Sequence, residues 1–141
     1  MEQWIILSLL ASLCFGISSI AFKLSLKNIN PFFGVFLLGI GGFIAAIASF
    51  IIKKPEISLQ PKSIFFGIFG GVLWLTAMIA VTYALANNAK IGKMAPIYNT
   101  NTLITVILSI LLLKEIPDVN GAIRILVGAL FIVAGSVIVS F

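Results

Sequence analysis

The sequence predicts an all-α integral membrane protein with five transmembrane helices, and the spacing of charge is the first reason. The chain has nine Lys and Arg and four Asp and Glu residues in 141 positions, grouped in five short clusters. Five uncharged runs lie between the clusters, each near the roughly 20 helical residues that cross a hydrocarbon core: 3–22, 28–52, 63–89, 94–113 and 125–141. Composition is the second reason, because 61% of the residues are hydrophobic and 9% are charged, whereas soluble domains average about 45–50% and about 25%.

Each uncharged run is expected to be helical, because lipid offers no partner for a bare peptide group. The predicted helices cover approximately 4–26, 31–52, 63–87, 94–113 and 119–141, in a single transmembrane domain that spans residues 1–141. The first run lacks the basic segment of a secretory signal and is expected to be retained. Short connections make successive helices antiparallel neighbours in this prediction. We expect a multi-pass protein of the cell (plasma) membrane.

The first predicted helix carries small and hydroxyl residues along one face. At the helical spacing of about 100° per residue, an arc of about 80° contains Ser8, Ser12, Gly16, Ser19 and Lys23. We interpret Gly16 as a helix-packing position and Lys23 as a pathway residue that attracts an anionic or polar solute. The alternative is a packing seam that ends in a lysine reaching to the interface. A turn at 28–31 leads to the second helix, which ends near Lys53.

The third predicted helix has a narrow polar face and an aromatic residue opposite to it. The polar face contains Thr76, Ala80, Tyr83 and Asn87, and Trp74 lies near mid-membrane on the other side. Glycines at 67, 70 and 71 mark close backbone contact in its first half. We assign Trp74 and Tyr83 to the substrate pathway, since an indole that faces a cavity can stack on a solute or a cation. A tryptophan that faces lipid or the core is the alternative.

The fourth predicted helix carries the strongest polar signal. One side of it contains Tyr98, Asn99, Asn101, Thr102, Thr105 and Ser109, with Pro96 a turn before. A buried amide is costly unless it is hydrogen-bonded, so these asparagines are expected to face the bundle interior or a water-filled cleft. Tyr98, Asn99 and Thr102 are therefore assigned to the substrate pathway. Hydrogen bonding between helices alone is the alternative.

The fifth predicted helix repeats small residues every two turns. Gly121, Gly128 and Gly135 recur at a spacing of seven, and each precedes another small residue, namely Ala122, Ala129 or Ser136. Small residues let another helix approach closely. We assign the three glycines to helix packing, against the fourth helix of the same chain or the fifth helix of a second copy.

Several kinds of chemistry are not expected. The chain has no His, and its four carboxylates, Glu2, Glu56, Glu115 and Asp118, lie in termini or loops of this prediction. Proton-coupled carriers usually place an acid near the midplane, so proton coupling is not expected. No enzymatic activity, metal site or cofactor is predicted, and nucleic acid is not an expected partner. Cys14 is expected to be a buried, unpaired thiol.

The basic residues do not fix an orientation. With the N-terminus inside, the cytoplasmic loops carry five Lys and Arg, and with the N-terminus outside they carry four. The positive-inside rule therefore has almost no bias to act on. One interpretation is that a small bias or a partner sets one orientation. The other is that copies insert both ways and pair antiparallel, which would generate the inverted symmetry of many secondary transporters.

Several stretches resemble the EamA-like repeat of the drug/metabolite transporter superfamily. They are Phe15-Gly16 followed by Lys23 and by Asn30-Pro31, then 83–85 (YAL), 95–96 (AP), 111–115 (LLLKE) and 128–135 (GALFIVAG). Family members often fuse two five-helix repeats in inverted orientation, so the chain is similar to a single-repeat bacterial or archaeal member. The resemblance implies pairing into ten helices. The arginine common in the second helix is absent here, and the resemblance gives Glu115 a structural role at a helix end.

Together these observations predict a membrane transporter of a small polar or amphipathic metabolite or drug. It would act by alternating access as a dimer, with membrane lipid and a small-molecule substrate as further partners. The dimer would be a homodimer, antiparallel in one interpretation, or a pair with a homologous chain. The alternative functions are a non-transporting membrane scaffold subunit and a lipid flippase component.

Overall fold

The computed structural model of the chain describes residues 3–57, 59–114 and 118–140 and contains no strand in these ranges. Its helices are α1 (Gln3–Ser25), α2 (Pro31–Lys53), α3 (Pro61–Ala86), α4 (Ile91–Tyr98), α5 (Asn101–Leu108), a π-helical turn (Ser109–Leu113) and α6 (Val119–Ser140). Five spans are long and apolar enough to cross a membrane, with 91–113 counted as one span. The predicted five-helix membrane fold is confirmed. The fourth span, however, begins three residues before the predicted 94 and is not a continuous α-helix.

The described chain forms two compact units, Met1–Asn88 and Ala89–Phe141. We call them unit 1 and unit 2. Unit 1 contains α1, α2 and α3, and unit 2 contains α4, α5, the π-helical turn and α6. The assignment of the whole chain to a single domain stays a prediction.

The turn between α1 and α2 is fixed by local chemistry. The side-chain oxygen of Asn30 accepts a hydrogen bond from the backbone N–H of Phe32 at 2.9 Å, and Pro31 occupies the first helical position, where no donor is lost. Two residues on, Gly34 lies against the end of α1. A Cβ at Gly34 would lie 2.5 Å from Cδ2 of Leu26, so any larger residue here would require the Leu26 side chain to move.

Unit 1 is packed at one end and open at the other. Its buried residues are Phe22 near the end of α1, Gly34 and Val35 near the start of α2, and Thr82 near the end of α3. In contrast, residues 40–53 of α2 and 61–74 of α3 are all exposed. The antiparallel course of the three helices brings the buried residues to the same end. We call this the packed end and the other the open end.

Unit 2 is built on a seam of small and apolar residues in α6, which packs against α4 and α5. Ala129 and Ser136 are buried, and Ala122, Leu126 and Val133 are half-buried between and before them. The spacing of these positions alternates four and three, the pattern of a helix that buries one stripe. The Ser136 hydroxyl donates to the Val133 carbonyl at 2.7 Å, so its O–H group is hydrogen-bonded although it is buried in the seam.

Candidate functional site

The fourth span is interrupted at Asn99 and Thr100, in the middle of its polar stretch. Pro96 lies inside α4 and has no N–H to donate to the carbonyl four residues back. The next residues alternate asparagine and threonine from Asn99 to Thr102, and these side chains compete with the backbone for its own hydrogen bonds. The Asn and Thr side chains therefore act at the interruption itself, and Pro96 weakens the helix in the turn before it.

Backbone hydrogen bonds change register across the interruption. The N–H of Asn99 still donates four residues back, to Ala95, at 3.0 Å. The amides of Thr100, Thr102 and Leu103 instead donate three residues back, at 3.1, 3.2 and 3.0 Å. Such tightened turns inside a helix often mark a functional hinge. A π-helical turn at Ser109–Leu113 closes the span, so α5 is an eight-residue helix between two irregular turns.

The Thr and Ser hydroxyls of this span are satisfied by their own helix. Thr100 donates to the Ile97 carbonyl at 2.7 Å and Thr102 to the Asn99 carbonyl at 3.1 Å. Thr105 and Ser109 donate in the same way, to Asn101 at 3.1 Å and Val106 at 3.0 Å. These hydroxyls therefore do not require water, although each oxygen can still accept a bond.

The side-chain amides of the two asparagines in this span are not hydrogen-bonded in the same way. Asn99 and Asn101 are exposed, and within the described residues no hydrogen bond of their side-chain amides is present. An amide that stays unpaired in an apolar medium costs roughly 2–7 kcal/mol. In a membrane these two groups need a hydrogen-bonding partner, such as water, a solute or another polypeptide segment.

The predicted pathway residues fall into separate places. Tyr98, Asn99 and Thr102 meet at the interruption of the fourth span, where Tyr98 is half-buried and the other two are exposed. Lys23 lies in the last turn of α1 and is half-buried at the packed end of unit 1. The first three thus form one local group in unit 2.

The two aromatic pathway residues of α3 do not share a face. Trp74 and Tyr83 are 50% and 64% exposed and lie nine residues apart in one unbroken helix. At 3.6 residues per turn this spacing places them about 180° apart. A passage on one side of α3 can be lined by one of them, so the other must face lipid or a second chain. Their assignment to the pathway stays a prediction.

Three of the four predicted packing glycines face open space in the described structure. A Cβ at Gly16, Gly128 or Gly135 would meet nothing within 4 Å, and Gly121 is half-buried. Inside unit 2 the contacts are made by the neighbouring positions, including Ala129 and Ser136. Packing of these glycines against a second copy stays a prediction. Cys14 is exposed, so the prediction of a buried thiol is wrong; the uncovered first half of α1 gives it no neighbour to bury it.

Two structurally important residues were not predicted from the sequence. Thr82 is fully buried (0% exposed), and its hydroxyl donates to the Met78 carbonyl at 2.7 Å, which lets a polar residue sit in an apolar contact. Thr100 occupies the interruption itself and is half-buried. The alternation of Asn and Thr after Pro96 was the available signal for the second, whereas nothing in the sequence around Thr82 distinguishes it.

A comparison of the sequence with known families covers nearly the whole chain. The model of the EamA-like transporter family matches residues 2–141. The chain belongs to this family. The family match agrees with the five apolar spans of the structure. The protein is therefore a multi-pass membrane protein of the transporter type. The EamA-like family is a transporter family and not an enzymatic one.

A relative of this EamA-like chain is an uncharacterized protein of Methanocaldococcus jannaschii. The two are 29% identical over 135 residues, which cover 94% of this chain and 97% of the relative. The relative therefore has a similar length, as expected for a protein with a single repeat. No solved structure matches the chain.

Proposed function

We propose that this EamA-like protein moves a small polar or amphipathic metabolite or drug across the plasma membrane by alternating access, as a dimer. The observation that carries the proposal is the interruption of the fourth span, with two exposed amides at Asn99 and Asn101. Polar groups held inside a membrane bundle are expensive and commonly mark a solute path. Broken helices at mid-membrane are likewise common where transporters bind substrate.

The open end of unit 1 supports a dimer. Its apolar side chains are uncovered, and glycines recur there without a neighbour: a Cβ at Gly41, Gly67 or Gly70 would meet nothing within 4 Å. Glycine inside a helix costs about 0.8–1.0 kcal/mol relative to alanine, and in membranes it is enriched where another helix comes close. A second copy, inserted in the same or the opposite sense, would supply that helix.

A cysteine-accessibility experiment tests the path. In a Cys14→Ser background, Thr102→Cys should react with a membrane-impermeant hydrophilic maleimide, because Thr102 lies at the interruption. The matched control is Ile104→Cys, about 200° away on the same helix and also exposed; it should stay unreactive because it faces lipid. Full protection of Thr102→Cys from both sides in folded protein would favour a scaffold subunit. Reaction only with a lipid-soluble maleimide would favour a flippase component.

Transport itself is tested in proteoliposomes with four radiolabelled probes: pyruvate, glycerol 3-phosphate, choline and sorbitol. Asn99→Leu should lower the flux of the carried probe about tenfold or more, since an unmade polar contact in a low-dielectric site costs 1–3 kcal/mol. Asn28→Leu is the control, in the exposed turn after α1, and should transport normally. Unchanged flux with Asn99→Leu would remove Asn99 from the path.

A further inference from the structure

The middle of the fourth span is polar but carries no charge. The span covers 91–113, so Thr102 is its midpoint, and the polar residues from Asn99 to Thr105 lie within one turn of it. The nearest charged residue of the span, Lys93, is nine positions from Thr102, which is about 13 Å along a helix. The charged residues of unit 2 in the described ranges all stand near the ends of its spans: Lys90, Lys93, Lys114, Asp118 and Arg124.

The exposed polar groups at mid-span accept more hydrogen bonds than they can donate. Thr102 and Thr105 are exposed, and each hydroxyl already donates to a carbonyl of its own helix at 3.1 Å, so their oxygens are left to accept. Each amide of Asn99 and Asn101 adds one accepting oxygen and one donating NH₂ group. Counted over these four side chains, acceptor sites outnumber N–H donors by about two to one.

This inventory is unfavourable for ions of either sign. An anion presents acceptors of its own, which the two threonine oxygens cannot bond, and no cation lies at mid-span to balance its charge. A cation suits the acceptors but has no carboxylate to pair with, since Glu56 and Asp118, the described carboxylates, lie outside the helices. The chain, with a formal net charge of +5, also repels cations.

An uncharged solute with several hydroxyls fits the same inventory. Each O–H of such a solute can donate to an amide or threonine oxygen, and its own oxygens can accept from the amide NH₂ groups. No charge has to be transferred into the low-dielectric middle of the span, so the largest desolvation cost does not arise.

We propose, on the basis of the transport function proposed above, that the carried solute is an uncharged polyhydroxylated compound of the polyol or sugar class. Its hydroxyls contact Asn99, Asn101, Thr102 and Thr105. The proposal narrows the solute class from polar or amphipathic to uncharged, and it adds Thr105 to the residues that determine specificity.

The experiment compares three matched radiolabelled probes in proteoliposomes that contain the full-length protein: sorbitol, gluconate and N-methylglucamine. All three share a chain of hydroxylated carbons and differ in one end group, which is a hydroxyl, a carboxylate or an ammonium. After subtraction of the flux into protein-free liposomes, sorbitol should move at least about tenfold faster than either ion, because an unbalanced charge is costly in an apolar medium.

Thr105→Val keeps the shape of the side chain and removes the accepting oxygen. It should lower sorbitol flux about threefold or more, since the lost hydrogen bond is not replaced, whereas Thr105→Ser should retain most of the flux. Ser49→Ala is the matched control, because Ser49 is exposed in α2 and its hydroxyl likewise donates to its own helix, to the Ala46 carbonyl at 2.8 Å. Its sorbitol flux should stay within about twofold of the parent protein.

The possible outcomes separate this proposal from the transport function. Unchanged sorbitol flux with Thr105→Val, or an equal loss with Ser49→Ala, would overturn the contact with Thr105. If Thr105→Val does not yield monodisperse protein, the selectivity of the parent and the flux of Thr105→Ser carry the test. Faster flux of any ionic probe than of sorbitol, with pyruvate, glycerol 3-phosphate and choline included, overturns the uncharged class and leaves transport intact. No flux of any probe overturns both.

Discussion

At the scale of single residues, two adjacent lysines at the end of α2 show how the backbone conformation of a position determines which residue type is most stable there. Lys53 is the last residue of α2, and Lys54 follows with φ 43° and ψ 55°, in the left-handed region. Its N–H donates to the Phe50 carbonyl at 2.9 Å, which closes the helix. A residue with a Cβ is disfavoured in this conformation by roughly 1–2 kcal/mol, and glycine is the usual choice.

Replacing each lysine by glycine should therefore have opposite effects. Lys54→Gly should raise the free energy of unfolding by about 0.5–1 kcal/mol because the strain is relieved. Lys53→Gly should lower it by a similar amount because glycine is a poor helix former. Reversible unfolding in mixed micelles measures both. A loss of stability in Lys54→Gly would show that its side chain contributes more than its backbone strain costs.

Gly34 gives a second prediction at this scale. Gly34→Leu should destabilise the protein by about 1–3 kcal/mol, because side chains of Leu26, Ile29 and Phe22 already lie within 4 Å of a Cβ at this position and would have to repack around a whole leucine side chain. Gly41→Leu is the matched control in the same helix, since a Cβ at Gly41 meets nothing within 4 Å. Thermal unfolding in detergent is the measurement. A Gly41→Leu variant that loses as much as Gly34→Leu would contradict the assignment of the close contact to the α1–α2 turn.

At the scale of elements, the interrupted fourth span is the feature on which the proposed transport mechanism rests. Two short helices on either side of Asn99 and Thr100 can change their mutual angle at little cost, because three of the amides there already bond out of α-helical register. Both packing contacts of these helices inside unit 2 are made with α6, whose seam is lined by small residues. Motion of α5 over such a surface meets few side chains.

Pro96→Ala tests the cause of the interruption. The restored N–H can bond to the Gly92 carbonyl, which should strengthen α4 by about 1 kcal/mol and slow amide exchange about fivefold in peptides that cover 95–105 if the proline weakens the turns after it. Pro31→Ala is the control, because Pro31 lies at the first helical position, where its missing donor is not needed; exchange there should not slow. Unchanged exchange in Pro96→Ala would assign the interruption to the Asn and Thr residues instead.

The sequence predicted where most of the helices begin and end, but less of the helix irregularity and the burial of residues inside them. Charge-free runs bounded by Lys53, Lys90 or Lys114 located the spans to within about three residues, because the cost of burying charge acts on every residue of a span. The interruption at Asn99 was not predicted, since a continuous helix already places all the polar groups on one side. Burial of Thr82 and half-burial of Lys23 depend on which helices meet and at which end, and such contacts between distant segments leave no periodic signal in α1 or α3.

At the scale of the whole molecule, the nearly equal numbers of basic residues on the two sides bear on the orientations in which copies can insert and pair. If insertion occurs both ways, a tag at the C-terminus should be found on both sides of the membrane in intact cells. The counts of five and four give neither orientation a clear advantage.

Removing two lysines from the side that already has fewer should give one orientation a clear advantage. Lys27→Ala combined with Lys90→Ala changes the count to five against two (4 − 2), so the tag should then occupy one side, with the N-terminus inside. Lys53→Ala with Lys114→Ala is the matched double control: it leaves three against four (5 − 2), a difference of one as in the parent, so the tag should stay on both sides. A parent protein that shows one orientation from the start would exclude an antiparallel homodimer.

The open end of unit 1 also bears on how the protein should be handled once it leaves the membrane. Within the described part of unit 1 the buried residues, Phe22, Val35 and Thr82 among them, lie at the packed end, so short-chain surfactants can bind the apolar helix surface at the other end. A micelle that separates the helices there would inactivate a preparation while each helix stays folded. Circular dichroism would then look native while activity had gone. Extraction directly into lipid nanodiscs, at a lateral pressure close to that of a bilayer, is the preparation in which this arrangement should survive.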